Sequence, residues 1–449
     1  MRYVLCVLIG LLLVSTGGNV LLTRQMLAAQ TDADRLRQRL ANVPTPGPAP
    51  TAAAAPVPTI AASVPDRLLL QQIEDQVATL RGLPPKGQVQ LRFLDQAALQ
   101  KYFVDRFNQD YLPSEQESDQ KLLTTLGLIK PNDSVVQTLL DVLQEQVIGV
   151  YNQDDKVMYM VTDRAQFGPE EKATFAHEYT HVLQDQYFDL TQLAPKHPTN
   201  DDRSLAIQAL TEGDATLMQR LWAQEKMTQD EINQLGQGGA DSKLFSAPLF
   251  LREQLLFPYS DGFNFVRQIY QTSGYAGVDE VFRNPPDSTE QILHPDKYRA
   301  HEKPIEVALP DFASQAVLGP GWRLINSNVF GELDLRLILT QLTNSTRGVR
   351  GAAGWGGDRW ALLEKDGRQA LVIKSVWDTE SDARTFFDTF GLAMKNRFPT
   401  AKEEEASPSR QALTASGYAT EIRRNAATVV VVISFDRPTA EAIATAVGS

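Results

Sequence analysis

His177 and His181 stand four residues apart in His177-Glu178-Tyr179-Thr180-His181. On an α-helix that spacing turns both imidazoles to one face, where they can close on a single zinc ion. Glu178 follows the first of them and is offset around the helix, so its carboxylate can hold a water at the metal rather than the metal itself. The chemistry implied is metal-dependent hydrolysis. With only five His in 449 residues, two of them at this spacing are a specific signal. The bland alternative is a pair of solvated His on an ordinary amphipathic helix.

A zinc site of this kind needs a third protein ligand and keeps a fourth position open. Glu212 is the candidate, because it lies in an apolar run in which Ile207, Leu210, Leu217 and Leu221 recur at helical spacing. A carboxylate is costly to bury there unless it is paired or bound to metal. Gly213 beside it costs about 1 kcal/mol of helix stability relative to Ala, so something must approach that backbone closely.

The first helix should run over 169–188, opened by Pro169-Glu170-Glu171, with Phe175, Tyr179, Val182 and Leu183 along its packed side. The segment 147–161 reads as a hairpin turning at Asn152-Gln153-Asp154-Asp155. Upstream, helices are expected over 66–80, 96–111 and 134–146, with a strand over 89–94; downstream, over 248–257 and 261–273. Pro195-Lys196-His197-Pro198-Thr199-Asn200 reads as a loop carrying a surface His197. Asp185, one turn after His181, is either a supporting partner of the site or solvated.

Here the chain resembles the gluzincins, zinc peptidases with a His-Glu-x-x-His helix and a glutamate ligand on a following helix. The resemblance covers residues 88–300 and implies His177, His181 and Glu212 as ligands of one zinc per chain, with Glu178 as general base. It also implies that the hairpin can offer an edge strand to an extended peptide, a structural hairpin without substrate contact being the alternative. Two departures stand out. Thermolysin-like members carry an Asp four residues after the glutamate, where this chain has Thr216, and the 30 residues 182–211 separate the last His from Glu212. The stretch 284–298 is similar to one in uncharacterised bacterial metallopeptidases of gluzincin type. Within it His294 can donate to the oxyanion of a tetrahedral intermediate, or simply pack against Tyr298; Tyr259 is a second residue of suitable type.

Residues 3–23 hold no charge and are rich in Leu and Val, a signal peptide or membrane anchor. A short charged helix over 31–40 and a stretch of Pro, Ala, Thr and Gly over 43–65 follow, a spacer that cannot bury a core. Export follows: an extracytoplasmic protein, tethered or secreted. The lone cysteine, Cys6, lies in the apolar segment, so no internal disulfide can form. A net charge of -12 without a basic stripe argues against a nucleic-acid partner.

The expected organisation is α+β. Residues 1–23 form the apolar segment, 24–65 the helix and linker, 66–345 a mainly helical zincin-like domain with a small edge sheet, and 346–449 a small α+β domain of order ββαββα. In the last, Trp355, Trp360 and Trp377 read as core residues rather than a ligand cage. The expected function is zinc-dependent hydrolysis of a peptide or protein substrate. The rival is a zincin-fold binding or scaffold protein of the cell envelope without turnover, against which the intact Glu178 counts.

Overall fold

The computed structural model describes residues 67–448 except 144–147, 162–166, 196–198, 236–241, 313 and 315–317. The apolar segment 3–23, the linker 24–65 and His197 lie outside the described residues. Among those described, no helix is long and apolar enough to cross a membrane. The architecture is α+β, a mainly helical part followed by a sheet-rich one.

The helical part opens with α1 (Arg67–Arg81), β1 (Gln90–Leu94), α2 (Gln96–Asp110), α3 (Pro113–Leu126) and α4 (Val135–Leu143). The hairpin β2 (Gly149–Asn152) and β3 (Val157–Val161) comes next, then α5 (Pro169–Phe188), α6 (Asp201–Lys226) and α7 (Leu249–Arg283). The small sheet has the order β1-β3-β2, with β1 parallel and β2 antiparallel to β3, which leaves β2 at its edge.

Helix α5 keeps the bounds its sequence predicts. Pro169 occupies the first turn, where no N–H is needed, and Glu171 reaches back 3.0 Å to the N–H of Gly168. Asn200 caps α6 by accepting from the N–H of Arg203 at 3.0 Å, and Asp201 and Asp202 sit at the positive end of its dipole. Both helices are buried on almost every side, so their polar residues must find partners inside the protein.

The sequence divides α7 into two helices at Pro258, but the structure runs it through that proline and bends it at Gly274, whose φ is 59°. A proline inside a helix costs about 3 kcal/mol. Extensive packing against α6 outweighs that cost. At the crossing a Cβ on Gly213 would fall inside the backbone of Gly262 and lie 2.9 Å from the nitrogen of Phe263. The close approach that Gly213 implies is therefore the backbone of α7.

The sheet-rich part comprises β4 (Arg323–Asn328), α8 (Gly331–Leu342), α9 (Ser345–Ala352), β5 (Trp355–Lys365), β6 (Arg368–Trp377) and α10 (Glu380–Arg397). It ends with β7 (Lys402–Ala406), β8 (Arg410–Ala415), β9 (Tyr418–Asn425), β10 (Thr428–Ser434) and α11 (Arg437–Val447). Its seven strands take the order β4-β5-β6-β10-β9-β8-β7, and each neighbouring pair is antiparallel. The expected ββαββα elements are present as β5, β6, α10, β9, β10 and α11, with β4, β7 and β8 added. Strand β7 reads Lys-Glu-Glu-Glu-Ala because it is an edge, and edge strands carry charge that discourages pairing with other chains. Trp355, Trp360 and Trp377 are buried in the core, Trp377 stacked on Phe386 at 4.5 Å.

Candidate metal centre

Three side chains from α5 and α6 bring one atom each to a common point. His177 Nε2 and His181 Nε2 lie 3.1 Å apart, and Glu212 Oε2 lies 3.2 Å from the first and 3.4 Å from the second. All three residues are buried. Bonds of about 2.0–2.1 Å to a tetrahedral zinc place neighbouring donor atoms about 3.3–3.4 Å apart, so this triangle has the size of one tetrahedral face. Two imidazole nitrogens and one carboxylate are also the donor types that zinc takes.

Electrostatics point the same way. Burial pushes the His181 ring down, but Glu212 more than offsets this and lifts it to about 9. Burial would raise the Glu212 carboxyl, yet His181 and His177 hold it down at about 2. A divalent cation would compete with protons for the lone pairs that meet here.

The orientation of His181 is fixed from behind. Its Nδ1 lies 2.8 Å from Gln184 Oε1, and Gln184 Nε2 donates to Thr211 O at 3.0 Å and to Asp214 Oδ2 at 2.9 Å. Those two acceptors identify the amide nitrogen, so the oxygen faces the ring, Nδ1 carries the hydrogen and Nε2 turns its lone pair to the centre. Asp214, two residues after Glu212, thus supplies the support that Thr216 cannot. Sequence reasoning missed Gln184 and Asp214. The one available signal was the three-residue step from His181 to Gln184, which stacks the two on one helix face.

Glu178 is buried beside the trio, and burial raises its carboxyl above the ordinary range, partly offset by His177 and His181. Its Oε2 accepts from the backbone N–H of Tyr151 on β2 at 2.8 Å. Its Oε1 is buried with no hydrogen-bond partner among the described residues. Because Val161 N–H bonds Ile148 O, the bonded pairs of the hairpin are 148 with 161, 150 with 159 and 152 with 157. Gly149 and Tyr151 therefore turn their own N–H and C=O groups away from β3, toward the outer edge of the sheet, and the N–H of Tyr151 is committed to Glu178.

Asp185 faces the hairpin rather than the trio. It accepts from Tyr151 Oη and Lys156 Nζ, both at 2.6 Å, and from the N–H of Leu190 at 3.1 Å. Tyr259 lies against the centre, its buried ring stacked on that of His177 at 6.4 Å. His294 is placed otherwise: its half-exposed ring meets Glu332 Oε1 at 3.0 Å instead of the trio. A second acidic group, Glu290, Glu302 and Asp378, is already filled by the Lys297 ammonium at 2.5–2.7 Å from each. A cavity of about 760 Å³ between residues 303–312 and the large sheet contains none of the trio.

Residues 322–444 match the model of a domain of unknown function (DUF8575). The match covers the large sheet and its helices and includes no residue of the trio. No curated protein and no solved structure matches the chain.

Proposed function

We propose that this chain is a gluzincin-type zinc-dependent hydrolase of peptide bonds. The observation that carries the reading is the convergence of His177 Nε2, His181 Nε2 and Glu212 Oε2 at 3.1–3.4 Å beside the buried carboxylate of Glu178. These three residues would hold one zinc ion, which supplies Lewis acidity toward a scissile carbonyl and makes water acidic near neutral pH.

The remaining work falls to the chain itself. Tyr151 N–H fixes one oxygen of Glu178, and Glu178 Oε1 takes a proton from the attacking water and passes it to the leaving amine. A carboxyl raised by burial is a stronger base for that purpose than an ordinary surface carboxylate. The hydroxyl of Tyr259, on the ring stacked over His177, is the donor best placed for the developing oxyanion. The outer edge of β2 would present Gly149 N–H and C=O and Tyr151 C=O to an extended peptide. The apolar segment 3–23 and the spacer 43–65 would carry this domain outside the cytoplasmic membrane.

Replacing Glu178→Gln in the full-length protein tests the reading. The variant should keep its zinc and lose cleavage of a peptide library, by about 10²–10⁴-fold or more. Retained turnover would reject Glu178 as the base. A zinc-loaded wild type that cleaves nothing would favour a binding or scaffold protein of the cell envelope.

A further inference from the structure

Arg81 is the last residue of α1 and is wholly buried. A guanidinium removed from water needs anionic partners, and two meet it. Its Nε lies 3.1 Å from both carboxylate oxygens of Asp214 on α6, and its Nη1 lies 2.8 Å from Asp279 Oδ1 on α7. The ring of Tyr275 covers it, 4.4 Å from Cζ to the ring centroid. Asp214 in turn accepts from Gln184 Nε2 at 2.9 Å, and Gln184 Oε1 lies 2.8 Å from His181 Nδ1. An unbroken series of polar contacts thus joins the end of α1 to the back of a ring whose other nitrogen faces the centre.

We propose that Arg81 is a positioning residue of the metal centre. By clamping the Asp214 carboxylate it fixes the direction of the Gln184 amide, and through that amide the tautomer of His181. The inference rests on the reading of His177, His181 and Glu212 as zinc ligands, and adds a residue from a helix that contributes no ligand.

The physical argument concerns what Asp214 does without its cation. The Asp214 carboxylate is held between the Arg81 guanidinium and the Gln184 amide, and without the guanidinium nothing from α1 fixes it. It can then swing away from Gln184 Nε2, which leaves Thr211 O to hold the amide, and the amide can turn over. Gln184 then presents N–H to His181 Nδ1, which must become the acceptor, so that Nε2 carries the hydrogen and cannot bind a metal. Thr211 O still favours the original amide direction, so the loss is partial rather than complete. Arg81 also ties α1 to α6 and α7, and a purely structural role would lower stability without touching this relay.

A double-mutant cycle on zinc affinity separates the two. Zinc dissociation constants of the full-length wild type, Arg81→Met, Gln184→Met and the double variant are measured by competition with a chromogenic chelator, after circular dichroism shows each to be folded. Gln184→Met should weaken zinc about 10–100-fold, the usual effect of removing a partner behind a ligand His. Arg81→Met should weaken it about tenfold, and the double variant should be no weaker than Gln184→Met alone. The visible spectrum of the cobalt-loaded Arg81→Met protein should shift with the changed ring geometry. Should Arg81→Met fail to fold, Asp214→Asn enters the same cycle with the same expectation. A folded Arg81→Met protein with wild-type zinc affinity, or losses that simply multiply in the double variant, would overturn the role of Arg81 and leave the zinc reading standing. A wild type that binds no zinc would overturn both.

Discussion

The backbone N–H of Tyr151 donates to Glu178 Oε2 at 2.8 Å, so the edge of the small sheet holds the carboxylate that our proposal makes the base. The same residue grips α5 a second time, about two turns further on, where its hydroxyl donates to Asp185 at 2.6 Å. Hairpin and helix are thereby locked in register, and a peptide laid along β2 would meet Glu178 at a fixed height.

Removing the second grip gives the first prediction. Tyr151→Phe deletes a buried hydrogen bond to a carboxylate while Lys156 still pairs with Asp185. Stability should fall by about 1.5 kcal/mol, read as a lower urea midpoint, with zinc content unchanged. An unaltered midpoint would mean that the hydroxyl does not hold the hairpin.

The crossing of α6 and α7 is a second point of sensitivity. Gly213→Ala puts a Cβ into the backbone of Gly262, and neither helix can yield without shifting Glu212 or Tyr259. Destabilisation of about 3 kcal/mol is expected, together with weaker zinc binding. Calorimetry and zinc titration of one preparation check both, and a variant of wild-type stability would contradict the packing argument.

Tyr259 and His294 divide cleanly. For any peptide that the wild type cleaves, Tyr259→Phe should lower kcat about 10²–10³-fold with zinc and KM little changed, as for loss of one oxyanion donor. His294→Asn should leave kcat intact, because its ring meets Glu332 and not the centre. The reverse outcome would move the oxyanion donor to His294.

The pair His294–Glu332 has its own pH signature. The hydrogen bond that the His294 ring donates to Glu332 is the main cause lifting His294 above its ordinary value, so the folded protein holds the proton more tightly than the unfolded chain. The resulting stabilisation is full below about pH 6.5 and is lost as pH rises through the raised pKa. The thermal midpoint of His294→Asn should therefore trail the wild type most near pH 6 and least near pH 9. Because the ring is half exposed, the gap should be small, and a gap that widens with pH would contradict the sign.

Much of the centre could be read from the chain because each feature had a local cause. Pro169 and the two following acids mark the start of α5, and Glu212 is conspicuous as a carboxylate in an apolar run beside a glycine. Arg81, Asp214 and Gln184 carry no such mark. Each is an ordinary polar residue on its helix, and only the assembly of α1, α5 and α6 makes them partners. Pro258 misled because its local cost is offset by packing from a distant helix, and β4, β7 and β8 were hidden because their residues are polar or only half buried. His294 sits in a well-formed turn, capping the short helix Thr289–Leu293 with its backbone, and a turn says nothing about where the ring points.

The most direct test is the metal content of the full-length protein by mass spectrometry, beside Glu212→Ala and the double variant His177→Ala/His181→Ala. The account predicts about one zinc per chain in the wild type, weakened by loss of Glu212 and abolished by loss of both His. Absence of zinc from the wild type after reconstitution, or zinc that survives loss of both His, would contradict it.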